Sequence, residues 1–208
     1  GSAELELGDY ESAKADFDKA ISMDPKNYDR LIEIYEALAD YGYREVGQEY
    51  LQNVLNTDKK LDAYDSGRIY YYLGDYQKAY LALEEAKGKG GVDSYLYLGK
   101  AYAATGDYNY ASSVYSNYLS KQGPDAEIYN QLGLCEMAKK DYQKALEAFQ
   151  AGKQIEGNSL MQTLSFNEIV AYEYLQDYQK AAVLLKAYLQ NYPDDQAAIR
   201  EQQFLSTR

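Results

Sequence analysis

Four sets of residues in this sequence have the types and spacing that chemistry requires. Gly88-Lys89-Gly90-Gly91 joins glycines to a lysine, as a phosphate-binding loop does. Such a loop also needs a strand before it, Ser or Thr after the lysine and a helix behind it. Those features are missing, and the run reads as the stop of a helix. Cys135 could serve as a nucleophile or a thiolate ligand, but the chain has no His and no second Cys to activate it or to share a metal. It therefore reads as a small buried hydrophobe. Glu84-Glu85 and Asp194-Asp195 pair carboxylates as hydrolases do, yet they fall at helix ends or on solvent faces, where acidic charge is ordinary. No Asp-x-Asp-x-Asp-Gly loop is present to hold calcium. The expectation is a protein that is not an enzyme, with no catalytic residue, no metal and no cofactor. The fourth set is the tyrosines, 26 of them beside 4 Phe and no Trp. A tyrosine joins a rigid apolar ring to a hydroxyl and serves cores and contact surfaces equally well. Which use each one has depends on the elements that carry it.

Charge narrows the partners. With 21 Lys and Arg against 33 Asp and Glu, the net charge is −12. Phosphate-rich surfaces attract Lys and Arg, so nucleic acid and anionic membranes are excluded as bulk partners. No stretch of 18 apolar residues is present to span a bilayer.

The elements are set by an internal repeat. Gly8-Asp9-Tyr10 recurs as Gly74-Asp75-Tyr76 and Gly106-Asp107-Tyr108, with degenerate copies at Lys140-Asp141-Tyr142, Gln176-Asp177-Tyr178 and Gly42-Tyr43-Arg44. Successive third positions are 34, 32, 32, 34 and 36 residues apart, a period typical of stacked helix pairs. Three positions on stand Ala13, Gly47, Ala79, Ala111, Ala145 and Ala181; seven on stand Phe17, Leu51, Leu83, Tyr115, Phe149 and Leu185. Nine positions back, Gly67, Gly99 and Gly133 supply small residues on a second helical stretch. These spacings mark single helix faces, with small residues where a neighbouring helix approaches closely.

The glycine, the Gly-Asp-Tyr tripeptide, the following Ala and aromatic or Leu, and the late Pro25 and Pro193 together resemble the tetratricopeptide repeat family over essentially the whole chain. The resemblance implies an all-α fold: a right-handed superhelix, or solenoid, of about six helix-turn-helix repeats with a C-terminal capping helix. The expected single domain divides into a truncated first repeat at 1–27, repeats at 28–59, 60–91, 92–125, 126–161 and 162–193, and a cap at 194–208. Helices are expected at about 3–7, 10–23, 28–40, 43–57, 60–73, 76–88, 92–105, 108–121, 125–138, 142–154, 159–175, 178–191 and 194–205. Arg44, Gly47, Gly152, Gly157, Ser165 and Ile169 depart from the family pattern and mark places where packing should differ.

Half of the tyrosines fall in repeat slots that pack helices together, among them Tyr10, Tyr76, Tyr108, Tyr115 and Tyr188. The family's first helices line a concave groove that receives an extended peptide or a partner helix. Carried onto this chain, the groove positions include Tyr64, Arg68, Tyr71 and Tyr72 in the third repeat, Leu96 and Lys100 in the fourth, and Asn130 and Leu134 in the fifth. Arg68 is expected to pair with a carboxylate of the ligand and the tyrosines to act as rigid anchors; the competing use of Arg68 and Lys100 is pairing with local acids such as Asp65. The family's subtype that clamps chaperone C-termini needs Lys, Asn and Arg where this chain has Ile32, Glu36, Asp65, Asp93 and Tyr97, so that ligand is not expected. The expected function is a non-catalytic scaffold binding a protein or peptide partner in the groove. The alternative is an assembly module that docks or forms a homodimer through its terminal helices. Gly1-Ser2 reads as a remnant foreign to the natural chain, which then enters a repeat in progress, so an upstream repeat, signal or anchor is expected before it.

Overall fold

The computed structural model describes residues 1–86 and 88–207. Lys87, inside the expected helix at 76–88, and Arg208, in the expected cap, lie outside the described residues. Among the described residues there are thirteen α-helices and no strand. They gather into two compact units, residues 1–90 and 91–208.

The first unit holds α1 (Ser2–Glu6), α2 (Tyr10–Met23), α3 (Tyr28–Asp40), α4 (Arg44–Thr57), α5 (Ala63–Tyr72) and α6 (Tyr76–Glu85). The second holds α7 (Val92–Ala104), α8 (Tyr108–Gln122), α9 (Ala126–Ala138), α10 (Tyr142–Lys153), α11 (Met161–Tyr174), α12 (Tyr178–Asn191) and the terminal α13 (Gln196–Leu205). Most helix bounds fall within one or two residues of the sequence expectation. Helices α5 and α6 are shorter, because Asp62 caps α5 by accepting from the Asp65 amide and Gly88 and Gly90 take left-handed backbone beyond α6.

The repeated tripeptide explains that regularity. Its first residue ends one helix in the left-handed region: Gly74 has φ 80° and Gly106 has φ 85°. The amide of its second residue then donates back to the helix just ended, Asp75 to the Tyr70 carbonyl and Asp107 to the Tyr102 carbonyl, both at 2.9 Å. This pattern closes the exposed carbonyls of a helix end. At every copy that has the aspartate except Asp107, the same residue starts the next helix by accepting an amide three residues on. Asp9 takes Ser12 at 3.1 Å, Asp75 takes Lys78, Asp141 takes Lys144 and Asp177 takes Lys180. Such an N-cap is worth about 1 kcal/mol. Where the glycine is replaced, the conformation persists: Lys140 and Gln176 both sit at φ 63°.

Packing follows the small-residue slots. A Cβ added at Gly67 would lie 2.5 Å from Leu83, at Gly99 2.2 Å from the Tyr115 ring, and at Gly133 2.3 Å from the Phe149 ring. Gly1 occupies the equivalent place over Phe17, at 2.1 Å. The partner alanines Ala13, Ala79, Ala111, Ala145 and Ala181 are fully buried. Each Leu or Phe so enclosed contributes about 1.5–3 kcal/mol by leaving water. In the second repeat the sizes are exchanged. Tyr35 fills the slot that glycine holds elsewhere, and Gly47 replaces the alanine, where a Cβ would meet the Tyr35 ring at 2.9 Å. The departure at Gly47 is thus compensation for a buried tyrosine.

Candidate functional site

In the first unit, the first-helix positions lie on α3 and α5. Tyr71 and Tyr72 are half-buried at the end of α5 and line an open depression of about 420 Å³ with Tyr35, Glu36, Asp40 and Arg44. The rings of Tyr71 and Tyr72 meet edge to face at 5.5 Å, and Tyr72 packs in the same way on Tyr35 at 5.2 Å. The Tyr72 hydroxyl donates to Glu36 at 2.6 Å. Tyrosine rings, the Glu36 and Asp40 carboxylates and the Arg44 guanidinium therefore surround one hollow between consecutive first helices.

Arg68 is placed differently from its expected role. Its side chain is 8% exposed, and both arms of the fork are engaged. Nη1 donates to Asp29 at 2.5 Å and Nη2 to Asp65 at 2.6 Å. The guanidinium carbon lies 4.5 Å from the centre of the Tyr64 ring. Burial opposes the charge, but the hydrogen bonds to Asp29 and Asp65 outweigh it and hold the arginine more firmly protonated than usual. Asp65 is itself pushed up by burial, which the attraction of Arg68 only partly offsets. Arg68 ties α3 to α5 and is withheld from an incoming carboxylate, so the local-pairing alternative describes it and the ligand-pairing expectation is corrected. Tyr64 backs the guanidinium, and a Cβ on Gly90 would press on its ring at 2.6 Å.

In the second unit, Leu96 and Lys100 are half-buried on α7, and Lys100 Nζ lies 3.5 Å from Glu127 on α9. Asn130 is buried and accepts from the Asn167 side chain of α11 at 2.9 Å. It therefore joins two first helices, whereas Leu134, on the same helix, is 42% exposed. Further along, α11, α12 and α13 enclose a depression of about 520 Å³ lined by Val170, Glu173, Tyr174, Tyr178, Glu201 and Phe204. Glu173 is pushed up to about 8 by burial and by the Glu201 carboxyl facing it. Cys135 is buried, its thiol raised to about 11 by burial and by Glu136.

Tetratricopeptide repeat models match residues 1–27, 96–159 and 166–195, segments that carry Gly8-Asp9-Tyr10, Gly106-Asp107-Tyr108, Lys140-Asp141-Tyr142 and Gln176-Asp177-Tyr178. The chain belongs to the tetratricopeptide repeat family. Solved structures, tetratricopeptide proteins among them, share its fold. YrrB, described as a TPR protein with an unusual peptide-binding site, is 21% identical with a TM-score of 0.60, over 90% of this chain and 97% of its own. A thermophilic TPR protein of Thermus thermophilus is 15% identical with a TM-score of 0.66, over 87% and 100%. PilF of Pseudomonas aeruginosa is 17% identical with a TM-score of 0.60, over 99% and 93%. No curated protein sequence matches the chain. The fold is the helical-repeat solenoid of this family. Tetratricopeptide proteins are in general non-catalytic modules for protein–protein interaction.

The tetratricopeptide register located Tyr71, Tyr72 and Leu134 on surfaces and Tyr115 and Tyr188 in the core. It missed Tyr35, which is 4% exposed; the glycine three residues after Arg44 was the available signal. It also missed the hydroxyls that tie elements together, Tyr50 to Asp18 at 2.6 Å and Tyr28 to Asp58.

Proposed function

We propose that this tetratricopeptide array is a non-catalytic scaffold that takes an extended peptide or a partner helix on its first-helix faces. The observation that supports it is the hollow between α3 and α5, where Tyr71 and Tyr72 stand beside Glu36, Asp40 and Arg44. Rigid aromatic rings with a charged rim are what a contact surface needs: large area at small entropic cost, plus groups that fix orientation. Tyr64 and Arg68 act here as positioning residues that hold α5 against α3. In the second unit Leu96, Lys100 and Leu134 supply the corresponding contacts, with Asn130 fixing α9 to α11.

Peptides selected from a random displayed library against the full chain test the reading. Replacing Tyr71 and Tyr72 together by Ala should weaken the selected peptides about tenfold or more while the helical circular dichroism stays unchanged. Selected peptides that bind the double variant as well as the parent would defeat the first-unit surface as the site.

A further inference from the structure

The depression at the end of the second unit differs from its surroundings in one respect. Two carboxyl groups meet inside it beside aromatic rings, and no cation of the described residues is bonded to either. Glu173 Oε1 is buried with no amide, hydroxyl or cation of the described residues on it, and the group that reaches the Glu173 carboxyl is the carboxyl of Glu201. Burying a carboxyl against a second one is costly unless a proton or a cation lies between them. The walls are apolar and open, with Tyr174 57% exposed and Phe204 39% exposed, and the volume of about 520 Å³ is ample for one long side chain.

We propose that this depression binds the guanidinium of an arginine side chain belonging to a peptide partner, bridged between Glu173 and Glu201 with its stem along Val170, Tyr174 and Phe204. The inference rests on the peptide-scaffold reading above and gives that reading a sequence requirement. Three arguments select arginine. A planar fork can donate to two carboxylates at once, which a single ammonium does less well. A weakly hydrated guanidinium also stacks on aromatic rings. The molecule already contains the arrangement: Arg68 bridges Asp29 and Asp65 with its guanidinium over the Tyr64 ring. The terminal depression has the carboxylates and the rings of that arrangement and takes its arginine from the ligand.

The probe is an acetylated, amidated Gly-Gly-Arg-Gly-Gly peptide titrated into the full chain and followed by NMR. Its perturbations should centre on Glu173, Tyr174, Glu201 and Phe204. The citrulline peptide, equal in shape and uncharged, should bind about tenfold more weakly or worse. The double variant Glu173→Gln, Glu201→Gln should lose the arginine peptide to the same extent with its circular dichroism intact, and Tyr174→Ala should weaken it several-fold, on the order of a cation–ring contact. Equal binding of the citrulline peptide, equal binding by the double variant, or perturbations elsewhere would overturn the proposal. A Gly-Gly-Lys-Gly-Gly peptide that binds as tightly would overturn the choice of guanidinium, and calcium chloride producing the same perturbations would replace the side chain by a metal ion. Failure here is separable from failure of the scaffold reading. Library-selected peptides that need Tyr71 and Tyr72 but ignore Glu173 and Glu201 reject this pocket alone, whereas selected peptides indifferent to both pairs reject the scaffold surfaces together.

Discussion

Carboxylates and tyrosines meet in both units, with opposite outcomes. In the first unit Asp29 and Asp65 hold Arg68, and the burial of Arg68 and Asp65 is offset because each arm of the fork meets a carboxylate oxygen, one of them on the exposed Asp29. In the second, Glu173 and Glu201 face each other without such a partner among the described residues, and the carboxyl responds by holding its proton far above the usual carboxylate range, to about 8. One arrangement has its counter-charge in place and ties two helices, with only Arg68 Nε left unbonded among the described residues, while the other has carboxyls and no counter-charge. The difference shows how an acidic repeat protein can use the same residue types to lock helices in one place and to leave a demand for positive charge in another.

Removing the cation from the Arg68 arrangement should have the largest effect. Arg68→Leu leaves Asp65 buried beside Asp29 with no counter-charge, and should cost about 3 kcal/mol, read as a lowered denaturant midpoint. A loss near zero would mean that Arg68 and its two aspartates are no tighter than a surface ion pair, and the contrast between the units would disappear.

Removing the charge from the Glu173 arrangement should act in the opposite direction. The Glu173 carboxyl is held above its ordinary 4.5, at about 8, with Glu201, Tyr174 and Tyr178 facing it across the depression. The folded chain therefore binds the proton more strongly than the unfolded chain does. This contribution is fully present below pH 4.5 and is lost as the pH rises through about 8. Glu173→Gln should flatten that decline and leave the protein more stable than the parent at pH 8.5 by on the order of 1–2 kcal/mol, after allowing for solvent screening. Melting curves across pH 4 to 9, in the approximate range set by the carboxyl's two states, check it; parallel profiles for variant and parent would remove the carboxyl pair from the account.

The smallest expected change separates backbone from charge. Gln176 closes α11 at φ 63° just past Glu173, a conformation that costs a non-glycine residue about 1 kcal/mol. Gln176→Gly should gain about 0.5–1 kcal/mol in the denaturant midpoint while leaving the slope with pH untouched. A changed slope would tie the pH response to the helix end instead of the acid pair.

Much of the fold was legible because the Gly-Asp-Tyr junctions punctuate the helices, and the slots around them locate the buried alanines and their large partners. The candidate site was legible only in part. Tyr71 and Tyr72 could be placed by counting back from Tyr76, since exposure on a regular helix follows its period. The condition of Arg68 could not be placed in that way. It depends on Asp29, 39 residues earlier, and on how far the Arg68 side chain is withdrawn from water. The Glu173–Glu201 pair is harder still, because α13 lies outside the repeat and no register relates its residues to those of α11.

The junctions carry a last consequence. A three-residue unit such as Gly74-Asp75-Tyr76 finishes one helix with its own backbone and begins the next with its own carboxylate. Lys140 and Gln176 show that even the glycine can change while the bend is kept. Such self-sufficient joints act as seams: a helix pair can be copied in or cut out between two of them without redrawing the ends that remain. The number of pairs becomes a quantity that inheritance can edit in whole steps, and with it the length of the array.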